Sequence, residues 1–219
     1  MKNKKSYAII GLGRFGMPLA KTLAQAGKEV IGIDRDEDRV KELRDYTEYA
    51  FVAQSLTKEV LEDIGVQNCD MAIICIGDKI ETSILTTLNV IHLNIPKVIA
   101  KATSSEQGEV LEKLGAQVVY PERDMALRIA KKILRDNMID SISIGKGIEV
   151  MEIKVSRQMV GQTIIEMKVR EKYGLNIIAI HHDGKTETEI NPQYHFKCDD
   201  TIAVVGREEK VSQFIDDYS

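Results

Sequence analysis

The run Gly11-Leu12-Gly13-Arg14-Phe15-Gly16 has the residue types and spacing to hold a pyrophosphate. Gly11 permits a tight turn, Gly13 lets the backbone approach the anion, and Gly16 lets a following helix lie close to the preceding strand. The first N–H groups of that helix then face the phosphates. About 20 residues on, Val30-Ile31-Gly32-Ile33 reads as a strand ending in Asp34, whose carboxylate suits the hydroxyls of a ribose. Asp34 could also cap the helix that begins near Asp36, and the two roles are compatible. Arg35 would favour a 2′-phosphate, but Asp34 beside it argues against such a ligand. Arg14 stands where a helix dipole disfavours a cation unless a phosphate is its partner. A solvated surface arginine is the alternative.

This chemistry requires a frame. Apolar runs at 7–10, 30–33, 49–52, 71–76, 97–100 and 117–120 alternate with helix-like stretches, among them Asp36–Arg44, Lys58–Ile64, Glu81–His92 and Ser105–Leu114. The alternation predicts an α/β domain over residues 1–122, a Rossmann-type doubly wound parallel sheet joined by right-handed crossovers. Ligands of such sheets bind beyond the carboxyl ends of the strands. Ala53 and Gln54, Ile76 and Gly77, Lys101, and Glu122 follow the third, fourth, fifth and sixth strands, and are candidate contacts. Lys101 could equally be a solvated lysine, and Glu122 a helix N-terminal acid. An acid near phosphates repels them unless a cation intervenes.

Residues 123–146 are expected to form a crossover helix and linker. The helical pattern carries Met125, Ile129, Ile133 and Leu134 on one stripe, which either lies on its own sheet or takes the chain across to a second protomer. The texture changes after Gly145-Lys146-Gly147. Ile148, Val150, Met151, Ile153 and Val155 form a strand with partial alternation, Thr163 to Glu166 fits a capping box, and Asp183-Gly184 signals a hairpin. Residues 147–219 thus predict a small α+β module, too small for the catalytic half of a dehydrogenase.

Composition narrows the classes. The 219 residues carry 43% hydrophobic and 29% charged side chains and a net charge of −4, so no basic field recruits nucleic acid. No apolar run approaches the ~20 residues that span a bilayer. Cys69, Cys75 and Cys198 lack C-x-x-C spacing and read as thiols in a reducing compartment. His181 and His182 point to opposite faces of a strand, and His195 with Cys198 finds no fourth ligand, which argues against zinc.

Together these residues resemble the RCK (regulator of K⁺ conductance) family. The first half is similar to an RCK N-terminal domain through Ile10 to Gly16, Leu85-Thr86-Thr87-Leu88, Leu114-Gly115-Ala116 and Tyr120-Pro121-Glu122-Arg123-Asp124-Met125. The tail resembles an RCK C-terminal domain through Glu149-Val150-Met151, Lys172-Tyr173-Gly174 and Asp199-Asp200-Thr201-Ile202. Ala53-Gln54-Ser55 departs from the family, many members of which carry an acid there.

The resemblance implies a cytoplasmic regulatory subunit of a Ktr/Trk-type potassium uptake system, peripheral at the inner face of the cell membrane. It implies ATP, ADP or NAD(H) in the Rossmann domain, and a Mg²⁺ or other cation between Glu122 and a terminal phosphate. Arg14 would then reach a nucleotide on a neighbouring protomer. In the tail it implies cyclic di-AMP at a dimer interface, held by Ile164, Ile165, Arg170, Asn176, Ile177, Ala179 and Pro192. Core packing alone would also explain most of these, and solvation Arg170. The implied partners are a membrane-embedded K⁺-translocating subunit and further copies of the chain, dimers assembling to an octameric ring. The competing reading is a short NAD(P)-dependent oxidoreductase. It lacks a recognisable acid/base cluster, so the chain is read as no enzyme.

Overall fold

The computed structural model describes residues 5–134, 138–145 and 147–218. They divide into two compact units, Met1–Arg123 and Asp124–Ser219.

The first unit is built on β1 (Ser6–Ile10), β2 (Glu29–Asp34), β3 (Ala50–Val52), β4 (Met71–Ile74), β5 (Val98–Lys101) and β6 (Gln117–Val119). All pair in parallel in the order β3-β2-β1-β4-β5-β6. The order reverses between β1 and β4, which opens a crevice at their carboxyl ends. Helices α1 (Gly16–Gln25) and α2 (Glu37–Arg44) cover one face, where Met17, Ala20, Val40 and Leu43 bury Ile9, Val30 and Ile73. Helices α3 (Lys58–Ile64), α4 (Ile80–Ile91) and α5 (Ser105–Lys113) cover the other, placing Leu61, Val90 and Leu111 on Ala8, Ile10, Ile74 and Ala100. Strands buried on both faces read as unbroken apolar runs, which is why they were visible in the sequence. Asp36, Thr57 and Ser104 cap α2, α3 and α5 by accepting backbone N–H bonds.

The second unit holds α6 from Asp124 onward (α6 is Pro121–Ile133), then β7 (Met138–Gly145) and β8 (Ile148–Lys154). Next come α7 (Ile164–Met167), α8 (Val169–Tyr173), β9 (Asn176–His182), β10 (Lys185–Glu187), β11 (Thr201–Arg207) and α9 (Glu208–Asp217). The sheet is antiparallel, in the order β10-β9-β11-β8-β7. Phe214 and Ile215 of α9 and Met167, Val169 and Tyr173 bury Met151, Ile153, Ile202 and Val204. Thr163 and Glu166 form a complete capping box, and Asp183 and Gly184, both at positive φ, turn β9 into β10.

Three expectations change. Residues 138–145, expected as linker, form β7, because the glycine turn that follows folds them back on β8 as a hairpin. The inward face of β8 is Glu149, Met151 and Ile153, so of the partly alternating Ile148, Val150, Met151 and Ile153 only the last two are buried and a charged residue joins them. A carboxylate is tolerated there because Glu149 accepts from Lys131 Nζ at 2.5 Å. The apolar stripe of α6 covers no sheet: among its described residues none is buried, and Met125, Ile129 and Ile133 are half or more exposed.

The junction of β1 and α1 yields a stability prediction. A Cβ at Gly16 would stand 1.9 Å from the Gly11 carbonyl oxygen, whereas one at Gly13 would meet nothing nearer than 3.9 Å. Gly16→Ala should therefore cost about 1–3 kcal/mol as an overpacked contact. Gly13→Ala should cost less than about 1 kcal/mol; urea unfolding of both variants checks the contrast.

Candidate functional site

A cleft of about 870 Å³ opens at the carboxyl ends of β1 and β4, where the sheet order reverses. The glycine loop forms its floor. Gly11 takes φ +99°, a region open to glycine, and donates its N–H to the Ile33 carbonyl at 2.8 Å. Packing explains Gly16, since α1 lies against the Gly11 carbonyl. It does not explain Gly13, which lines the cleft and where a Cβ would meet nothing nearer than 3.9 Å.

Asp34 is buried at one end of the cleft. Its Oδ2 accepts from Leu12 N at 2.6 Å and its Oδ1 from Asp36 N at 2.9 Å. Each oxygen keeps a further lone pair, so the carboxylate can accept two more bonds. The capping role considered for Asp34 falls to Asp36, whose side chain accepts from Asp38 N at 3.0 Å. Arg35 reaches across to Asp78, Nη2 to Oδ2 3.1 Å, and Gln54 Nε2 donates to the Arg35 carbonyl at 3.0 Å. Ala53 is buried beside them, its N–H donating to the Asp34 carbonyl at 3.0 Å.

At the other end Lys101 is 9% exposed rather than solvated, and its Nζ lies 2.5 Å from Glu122 Oε1. A Cβ at Gly77 would stand 3.0 Å from that Nζ, so Gly77 gives the ammonium its path. The Lys101 hydrogen bond holds the Glu122 carboxyl below the ordinary carboxylate range, and Arg14 adds to the effect. The cation beside Glu122 within this chain is thus Lys101. Among the described residues no group of three His, Cys, Asp or Glu could hold a metal.

The cleft brings together every residue expected around a nucleotide except Leu12 and Gly16, which serve the core and the helix contact. Ile76 and Phe15 supply apolar wall. Among the further lining residues that sequence reasoning did not single out are Arg39, Asp78, Thr103 and Ser105. The signal for the last two was the cap sequence Thr103-Ser104-Ser105 at the end of β5. Buried Gln107 sets this rim, accepting from Thr103 N at 2.8 Å and Thr103 Oγ1 at 3.0 Å. Burial pushes the Cys75 thiol of the cleft wall up to about 12, which leaves it protonated and inert at neutral pH.

In the second unit a smaller concavity of about 280 Å³ gathers Ile164, Ile165, Arg170, Asn176 and Ile177, together with Lys168. Ala179 and Pro192 do not line it. Ala179 sits farther along β9 opposite Ala203, and Pro192 instead accepts a backbone bond from Ile165 N at 3.3 Å. The histidines do not converge: His181 Nδ1 meets Thr186 Oγ1 at 3.0 Å, and His195 Nδ1 meets the Gly161 carbonyl at 3.0 Å.

Comparison with known proteins finds matches along both units. Residues 7–121 match the TrkA-N domain and residues 148–217 the TrkA-C domain. The chain is 36% identical over 212 residues to Ktr system potassium uptake protein C of Bacillus subtilis, covering 96% of each. It is 31% identical to Ktr system potassium uptake protein A of Vibrio alginolyticus, covering 95% of each. Among solved structures, the GsuK channel matches with a TM-score of 0.54 at 21% identity, over 97% of this chain and 38% of that one. A structure of GsuK bound to ADP matches with a TM-score of 0.50 at 26% identity, over 60% of this chain and 34% of that one.

The Lys101–Glu122 pair predicts a pH effect. A carboxyl held below its ordinary 4.5 stabilises the fold above that pH, and the contribution is lost as pH falls through the lowered value. The melting-temperature gap between the wild type and Glu122→Gln should be constant from pH 7 to about pH 5 and close below it. A gap that widens on acidification would contradict the pairing.

Proposed function

The chain belongs to the TrkA-N/TrkA-C family of potassium uptake proteins, and from that premise we propose that it is a nucleotide-sensing regulatory subunit that gates a membrane K⁺ pathway. The observation that carries this reading is the cleft, where a ribose-type carboxylate, a glycine loop and two cations stand in sequence. Asp34 would accept from the ribose diol, Gly13 would admit the pyrophosphate, and Arg14 and Lys101 would meet the phosphate charge. ADP, ATP and NAD(H) all present these groups, and the match to an ADP-bound structure supports the first.

A Mg²⁺ between Glu122 and a terminal phosphate would draw its remaining ligands largely from phosphate and water, since among the described residues no group of three His, Cys, Asp or Glu could hold a metal. A phosphate pulling on Arg14 of a neighbouring copy would distinguish two arrangements of an assembly, which is what gating by a ligand requires. The exposed stripe of α6 suits contact with a second copy, in dimers that assemble to an octameric ring. No described helix is long and apolar enough to cross a membrane. The K⁺ pathway would then lie in a membrane-embedded partner subunit, with this chain at its cytoplasmic face.

A reductase would need a proton donor set beside its nicotinamide. Among the described residues no histidine lines the cleft, and the Tyr120 hydroxyl packs against Gly108 while Arg123 covers its ring at 3.8 Å. In the second unit the basic side chains of Lys168 and Arg170 flank isoleucines, a lining suited to adenine faces and phosphates, and cyclic di-AMP is the proposed effector there.

Two outcomes test the reading. Asp34→Ala should weaken ADP and NADH together, by about tenfold or more, because it removes contacts common to both. Calorimetric titration of nucleotide-free protein measures this, and unchanged affinity for both ligands, or steady NADH turnover with carbonyl substrates, would overturn it. Arg170→Ala should abolish cyclic di-AMP binding, at one ligand per two chains in the wild type, while leaving ADP affinity within about twofold. A 1:1 stoichiometry in the wild type would remove the two-fold site.

A further inference from the structure

The ribose end of the cleft holds a charge arrangement that the glycine motif does not require. Arg39 is the third residue of α2, in the turn where the helix dipole disfavours a cation. Its guanidinium stands between two carboxylates, Nη1 3.5 Å from Asp34 Oδ2 and Nε 3.4 Å from Asp36 Oδ2. It also overhangs the glycine loop, where Nη1 would be 3.9 Å from a Cβ at Gly13. The Asp34 side chain is 6% exposed and that of Arg39 49%, so the cation caps a buried anion from the solvent side.

We propose that Arg39 is a positioning residue for ribose recognition, which holds the Asp34 carboxylate in the rotamer that offers its free lone pairs to the 2′- and 3′-hydroxyls. The inference rests on the nucleotide reading above. The physical need is repulsion. Asp34 and Asp36 both meet the Arg39 guanidinium, with Glu37 and Asp38 in the same first helical turn and Asp78 lining the same cleft. Arg35 is already engaged by Asp78. With Arg39 gone, Asp34 keeps its two backbone N–H donors but loses the cation that separates it from Asp36, and the two carboxylates drive one another out of register. Planarity matters, because one guanidinium spans both acids whereas an ammonium meets one at a time.

The test compares ADP with 2′-deoxy-ADP on wild type, Arg39→Ala and Arg39→Lys, by calorimetry at one salt concentration. Wild type should prefer ADP by about tenfold, the value of one hydrogen bond to a charged acceptor. Arg39→Ala should bind ADP more weakly and narrow the preference to about threefold or less, and Arg39→Lys should restore part of it. A merely structural or long-range charge role would lower both affinities and leave their ratio intact. An unchanged ratio in Arg39→Ala therefore overturns the inference while the nucleotide reading stands. Absence of ADP binding by the wild type overturns that reading and the inference with it.

Discussion

The approach of α1 to the end of β1 is the constraint on which the rest of the first unit depends. With no side chain at Gly16, the helix settles against the Gly11 carbonyl, closer than any Cβ would permit. That contact sets the helix height above the sheet and aims its N-terminus into the crevice between β1 and β4. It also brings the Leu12 N–H to the Asp34 carboxylate at 2.6 Å, tying the glycine loop to the end of β2. Loop, helix and the Asp34 carboxylate are thus one piece of geometry. A change at Gly16 propagates to the cleft without touching a ligand.

Charge in the cleft follows the same economy of parts. Its acids are each answered by a basic side chain of the same unit: Asp34 and Asp36 by Arg39, Asp78 by Arg35, Glu122 by Lys101. A polyanion entering such a site would compete with these acids for Arg35, Arg39 and Lys101.

The second unit meets a different demand, a small core under an antiparallel sheet. Aromatic contacts fill it, with Tyr173 and Phe214 edge to face at 5.3 Å and the Tyr173 hydroxyl donating to Asp217 at 2.6 Å. The Lys131 contacts to Glu149 and Glu208 fasten the end of α6 to this unit. The apolar side of the same helix is left uncovered.

Local pattern determined the strands, the helices with their caps, the glycine loop and the residues at the carboxyl ends of the parallel strands. Each depends on neighbours in sequence: periodicity, a capping side chain, or a turn that requires positive φ. Legibility ended where partners come from distant segments. Arg39 looked like an ordinary helix residue, and Lys101 like a surface lysine, until the fold brought Asp34 and Glu122 to them. Strand β7 was hidden because an edge strand with half its side chains in solvent lacks the apolar run that marks a buried one. The inward Glu149 contradicted the pattern of β8 and became intelligible once Lys131 was seen above it. Sequence by itself determined the elements and the order of chemical groups along the chain. Only the tertiary structure decided which charges meet, because pairing energies act across space and leave no periodic mark on the chain.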